Sequence, residues 1–152
     1  MGVDNYSTIS TIANNGAIYV VGDAIGSINS QSSSGGLDKV LIKLAPDGTH
    51  QWTQQIASQQ GIGISTAKDG SIYVSSFSSP TVSSGNLLDP IDSGTSTITL
   101  QKFSDTGTSL WSKQVQSNSS FPNGSVAVDQ EDGSVYLTGE SPRVWWRPIG
   151  LS

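Results

Sequence analysis

A chain of 152 residues is the size of one ordinary domain, and it carries seven Lys plus Arg against twelve Asp plus Glu, a net charge of −5. The basic residues form no stripe or cluster, which speaks against nucleic acid and anionic membranes as partners. The absence of cysteine rules out disulfides, thiolate nucleophiles and cysteine-rich zinc sites, and no apolar run approaches the roughly 18 residues of a membrane helix.

Charged residues make up only 12% of the chain, about half the usual share. Ser, Thr, Asn, Gln and Gly supply the polarity instead. Long helices draw on Glu, Lys, Arg and Ala, so this composition favours strands and turns.

In chain order, the opening MGVDNYST lacks the basic and apolar regions of a signal peptide. Its expected place is the cytoplasm, or the interior of a longer precursor. A short run, TISTIA, then leads into NNGAIYVVG (Asn14–Gly22). Asn-Gly before an alternating apolar run predicts a tight hairpin with a two-residue type I′ turn. The Ser/Gly-rich AIGSINSQSSSGGL follows as an exposed loop, and DKVLIKLAPDGTHQWTQQI (Asp38–Ile56) predicts a second hairpin turning at Pro46-Asp47-Gly48.

The same order then recurs. GISTA and KDGSIYVSS (Lys68–Ser76) predict a hairpin, FSSPTVSSGNLLDPIDSGTS a long loop, and STITLQKFSDTGTSLWSKQV (Ser96–Val115) a second hairpin. The segments around Lys43–Trp52 and Lys102–Trp111 align without a gap. A third copy begins with SVAVD and EDGSVYLTG (Glu131–Gly139), placing Tyr19, Tyr73 and Tyr136 at matching positions. The units run over about 6–56, 61–115 and 124–140, with an off-pattern tail at 141–152, SPRVWWRPIGLS. A repeated four-strand unit of this length predicts an all-β fold of antiparallel β-propeller blades, about two and a half of them, forming a single partial propeller.

Both phrases resemble the bacterial SBBP-type repeat of seven-bladed β-propeller proteins. Gly124, Val126, Ala127, Val128, Asp129, Gly133, Val135, Tyr136, Thr138 and Gly139 fall on its first hairpin pattern. Lys43, Leu44, Asp47, Gly48 and Trp52 fall on its second. The second phrase is also similar to the tryptophan-docking motif of pyrroloquinoline-quinone propellers. The resemblance implies that the Tyr hairpins form the inner strands of each blade and the Trp hairpins the outer ones. Recurrent Tyr and Trp then mark packing between blades rather than a ligand site.

Candidate chemistry is sparse. The lone His50 beside a turn predicts a solvated side chain. Asp89 and Asp92 in LLDPIDSG lack the D-x-D-x-D-G pattern of a calcium loop and fit turn capping beside Pro90. Gly61-Ile62-Gly63 lacks the third glycine and the helix of a nucleotide site. Asn5, Asn118 and Asn123 head glycosylation sequons that a Ser-rich chain produces by chance. No catalytic, cofactor or metal residue is assigned. The expected function is a non-enzymatic module for protein or glycan interaction in an exported or surface bacterial protein. Its binding regions would be the loops at about Ser27–Leu37 and Ser78–Ser96. The alternatives are a structural self-assembling unit and a fragment of a quinoprotein- or glycosidase-like propeller enzyme. A stack of few blades leaves apolar sheet faces at its ends, which predicts a homo-oligomer.

Overall fold

Apolar residues alternating with small polar ones on either side of a glycine turn build antiparallel hairpins, each strand presenting one face to a core. The computed structural model of the chain describes residues 9–13, 15–25, 37–56, 60–78, 96–117 and 125–138. Among them are ten strands and no helix. They are β1 (Ile9–Ile12), β2 (Ile18–Ile25), β3 (Leu37–Leu44), β4 (His50–Ile56), β5 (Gln60–Thr66), β6 (Ile72–Ser78), β7 (Ser96–Phe103), β8 (Ser109–Ser117), β9 (Ser125–Val128) and β10 (Val135–Thr138). The fold is all-β. β1–β4 and β5–β8 form four-stranded antiparallel sheets in sequence order, and β9–β10 form a lone hairpin. These are propeller-type blades in an open stack.

The hairpin turns differ from the expected type I′. In four of the five, an i→i+3 hydrogen bond closes a turn whose last residue is a glycine at positive φ, the glycine N–H donating to the carbonyl three residues back: Gly16 to Ala13, Gly48 to Ala45, Gly70 to Ala67 and Gly107 to Ser104. The loop therefore holds three residues, and the glycine supplies the left-handed step that two-residue loops place elsewhere. In both Trp hairpins a bulge follows, between Lys43 and Leu44 and between Lys102 and Phe103. The bulge brings Lys43 opposite Trp52 and Lys102 opposite Trp111.

Period-two alternation assigns the faces. Tyr19, Val21 and Leu41 of the first sheet point at Ile64, Ile72, Val74 and Phe103 of the second, and together they form one buried cluster. Full burial of side chains such as Leu41, Ile72 and Val74 contributes about 1.5–3 kcal/mol each. The opposite face of the second sheet carries Tyr73, Leu100 and Trp111. It packs on Val126, Val128, Val135 and Leu137 of the lone hairpin. Aliphatic face therefore meets Tyr face at both junctions, in one direction along the chain. The edge strands β1, β5 and β9 lie side by side in that order, as the inner strands of successive blades do. Gly63 permits the second of these contacts, because a Cβ there would sit 2.8 Å from the Val126 nitrogen and 3.0 Å from Ser125 Cα. Two side-chain bonds tie the same junction, from Val128 N to Ser65 Oγ at 3.2 Å and from Gln130 Nε2 to the Thr66 carbonyl at 2.6 Å.

Candidate functional site

The turns of the Trp hairpins differ by one residue in where they place their carboxylate. In four hairpins an Asp or Asn stands just before the turn glycine and accepts the backbone N–H two residues on. The pairs are Asn15 with Ala17 at 3.0 Å, Asp47 with Thr49 at 2.9 Å, Asp69 with Ser71 at 2.9 Å and Asp132 with Ser134 at 2.7 Å. These bonds hold the carboxyls of Asp47, Asp69 and Asp132 below the usual Asp range. In SDTG the residue before the glycine is Thr106, and the turn is closed instead by Ser104 Oγ accepting from Thr108 N at 3.1 Å. The aspartate has moved one place earlier, to Asp105, and is released from its own turn.

Asp105 reaches across to the first sheet. Tyr19 Oη donates to its carboxylate at 2.7 Å, and Lys43 Nζ forms an ion pair with the same oxygen. Lys43 Nζ and Trp52 Nε1 both donate to the Asp105 backbone carbonyl at 3.1 Å. The next turn glycine, Gly107, lies under the Trp52 ring, where a Cβ would meet the indole at 3.1 Å. Tyr19 and Trp52 are tilted against each other at a centroid distance of 6.1 Å, with the Lys43 ammonium 5.7 Å from the Tyr19 centroid. The turn of the second sheet is thus a plug, and Tyr19, Lys43 and Trp52 are its socket. The donors Lys43 and then Tyr19 hold the Asp105 carboxyl below its usual range. Burial, then the bond to Asp105, pushes the Tyr19 phenol well above its ordinary value.

Tyr73, Lys102 and Trp111 repeat the socket in the second sheet. Tyr73 and Trp111 meet edge to face at 5.9 Å, and Lys102 Nζ lies 5.2 Å from the Tyr73 centroid. No described turn enters this one. The cation of Lys102 faces Asp69 at 3.8 Å, where the aspartate side chain is largely in solvent. Nearby, Val115 is 52% exposed, whereas Ile56 at the corresponding place in the first sheet is 6% exposed.

The other candidates separate cleanly. His50 is exposed, as expected, with Nε2 2.9 Å from Thr53 Oγ1. Gly61–Gly63 lie within β5, where Gly63 serves strand packing. Asp89, Asp92, Asn5, Asn118, Asn123, the tail at 141–152 and most of the two long loops fall outside the described residues. Among the described residues no three His, Cys, Asp or Glu side chains gather to hold a metal. Among the described residues no helix is long and apolar enough to cross a membrane. By itself SDTG marks Asp105 as one more turn residue. The signal that sets it apart is the offset between SDTG and APDG in the gap-free alignment of the two phrases. No protein-family model matches the chain, and no curated protein matches it.

Proposed function

We propose that this chain is a non-enzymatic β-propeller repeat module that works by protein contact across its open blade faces, beginning with contact to its own copies. One observation carries the reading. The repeated tyrosine is 0% exposed in the first sheet, 5% in the second and 57% in the lone hairpin. Each Tyr face is buried by whatever unit follows it, so Tyr136 marks a face built to be covered. At the other end of the stack, Ile18, Val20, Ile42 and Leu44 present a half-buried aliphatic face. The corresponding Ile72, Val74 and Phe103 of the second sheet are buried against the first. A Tyr face at one end and an aliphatic face at the other are complementary head to tail, the arrangement that gives rings when it closes and filaments when it does not.

The similarity of the hairpins to bacterial SBBP repeats supports a place on the outside of a bacterial cell. The exposed Leu110, Val115 and Tyr136 favour a protein over a glycan as the bound surface. Sedimentation velocity over a concentration series tests the proposal. The expected result is reversible association that Tyr136→Ser weakens. A monomer at all concentrations, or association indifferent to Tyr136→Ser, overturns it.

A further inference from the structure

We infer that the junction between the two four-stranded sheets contains an internal water-binding site, walled by Asp23 and Lys39 of the first sheet and by Thr99 and Gln101 of the second. The site lies inside one chain and does not depend on contact between copies.

Strand register puts these four residues on facing surfaces. In the first sheet Asp23 stands opposite Lys39, on the face that Tyr19, Val21 and Leu41 turn toward the second sheet. In the second sheet Gln101 stands opposite Val74 and Thr99 opposite Ser76, on the face that carries Ile72, Val74 and Phe103. The Asp105 turn binds Tyr19 and Lys43, which holds the turn ends of the two sheets together. The ends away from the turns, where both surfaces change from apolar to polar, therefore lie together as well.

The polar atoms there do not complete one another. The Lys39 and Asp23 side chains are 4% and 1% exposed. Lys39 Nζ has three hydrogens to give, and among the described residues it has one acceptor, Asp23 Oδ1. Thr99 is 4% exposed, and its Oγ1 and Gln101 Oε1 are buried with no hydrogen-bond partner among the described residues. An ammonium with hydrogens to spare thus shares a junction with two oxygens that lack donors, and no direct bond joins them. Buried polar groups are costly to leave unmet, and native interiors satisfy them with protein or with ordered water.

Water is the occupant that fits this set of groups. It accepts from the Lys39 ammonium and donates to Gln101 Oε1 and to the Thr99 hydroxyl oxygen, which gives it the two to four partners that internal waters have. A metal cation would sit beside the ammonium, and an anion beside the Asp23 carboxylate and the Gln101 carbonyl; both are repelled. The repeats point the same way. Where the second sheet has Ser76, Thr99 and Gln101, the first has Gly22, Val40 and Ile42. Where the first has Asp23 and Lys39, the second has Phe77 and Ile98. At these positions polar side chains stand on the two surfaces that meet, and the faces turned away from the junction carry none.

A crystal structure of the full chain tests the site directly, with water as the ligand. Density for a water within hydrogen-bond distance of Lys39 Nζ, Thr99 Oγ1 and Gln101 Oε1 is expected. Lys39 bonded directly to Thr99 or Gln101, an ion in place of the water, or no density between the sheets overturns the inference. Oxygen-17 relaxation dispersion supplies the solution test, because it reads held water molecules and is blind to exchanging hydroxyl and ammonium protons. Thr99→Val keeps the shape of the side chain and removes one of the water's partners. It should shorten the residence of the held water about tenfold, the worth of one hydrogen bond. A dispersion unchanged by Thr99→Val, or absent from the unmodified protein, overturns the site. Sedimentation reads contact between copies separately, so the water site and the association reading fail independently.

Discussion

The two four-stranded sheets are near copies in sequence, yet they live in different surroundings. Tyr19, Lys43 and Trp52 are plugged by the Asp105 turn, while Tyr73, Lys102 and Trp111 hold a similar arrangement that no turn among the described residues enters. A second difference lies four residues along the same strands. The cross-strand pair Asp23 and Lys39 forms a buried ion pair in the first sheet, and the matching pair in the second is Phe77 and Ile98. Both pairs are buried. The strand scaffold therefore accepts either an ion pair or an apolar pair at this position, whereas the aromatic and lysine positions keep their identity in both sheets. What repeats is the docking surface; what varies is the filling beside it.

The largest test of that comparison uses the tyrosines. Tyr19→Ala should lower stability by about 3–5 kcal/mol, as for other buried aromatics, while Tyr136→Ala should change it by less than about 0.5 kcal/mol in the monomer. Urea midpoints read both, and equal losses would mean that the two tyrosines are buried alike. Next comes Gly63→Ala, which forces a methyl against the backbone of β9 and should cost about 1–3 kcal/mol. Hydrogen exchange should show the loss as lowered protection over 125–138, with the first sheet unaffected.

The tryptophans sharpen the contrast further. Trp52→Ala should destabilise by about 1–2 kcal/mol more than Trp111→Ala, because among the described residues Trp52, and not Trp111, gives an indole hydrogen bond and packs on a glycine of the next turn. Matching losses in thermal melts would mean that the open and filled sockets contribute alike. The smallest effect is acid dependence. Asp105 has a folded pKa below its ordinary 3.8, so its contribution is present above that value and lost as pH falls through the folded one. Asp105→Asn should flatten the stability profile below about pH 4 and leave neutral pH behaviour only slightly changed. An unaltered acid limb would remove Asp105 from the plug. The carboxylate is partly exposed, so solvent screening keeps the change modest.

Much of this fold was legible in the residues. The three Tyr phrases and two Trp phrases located the hairpins, because period-two alternation beside Gly turns is a local property. The turn geometry was not. Asn-Gly and Asp-Gly suit a two-residue loop and also the end of a three-residue one, and the bulge that decides between them is set by cross-strand pairing. Nor was the site legible as a site. Asp105 and Lys43 are 62 residues apart, and nothing local says that a turn aspartate is freed from its own backbone to serve another sheet.

The sequence by itself determined the strands, their pairing into hairpins and the inward face of each, since the alternation of side chains and the turn glycines act over a few residues. Only the tertiary structure decided which of the equivalent tyrosines are buried. That depends on whether a further unit lies against each face, and one repeat cannot encode the presence of its neighbour. It also decided that the aspartate of SDTG, shifted one residue from that of APDG, meets Tyr19 and Lys43. The sheets must first stack on their apolar faces before that carboxylate has anything to bind.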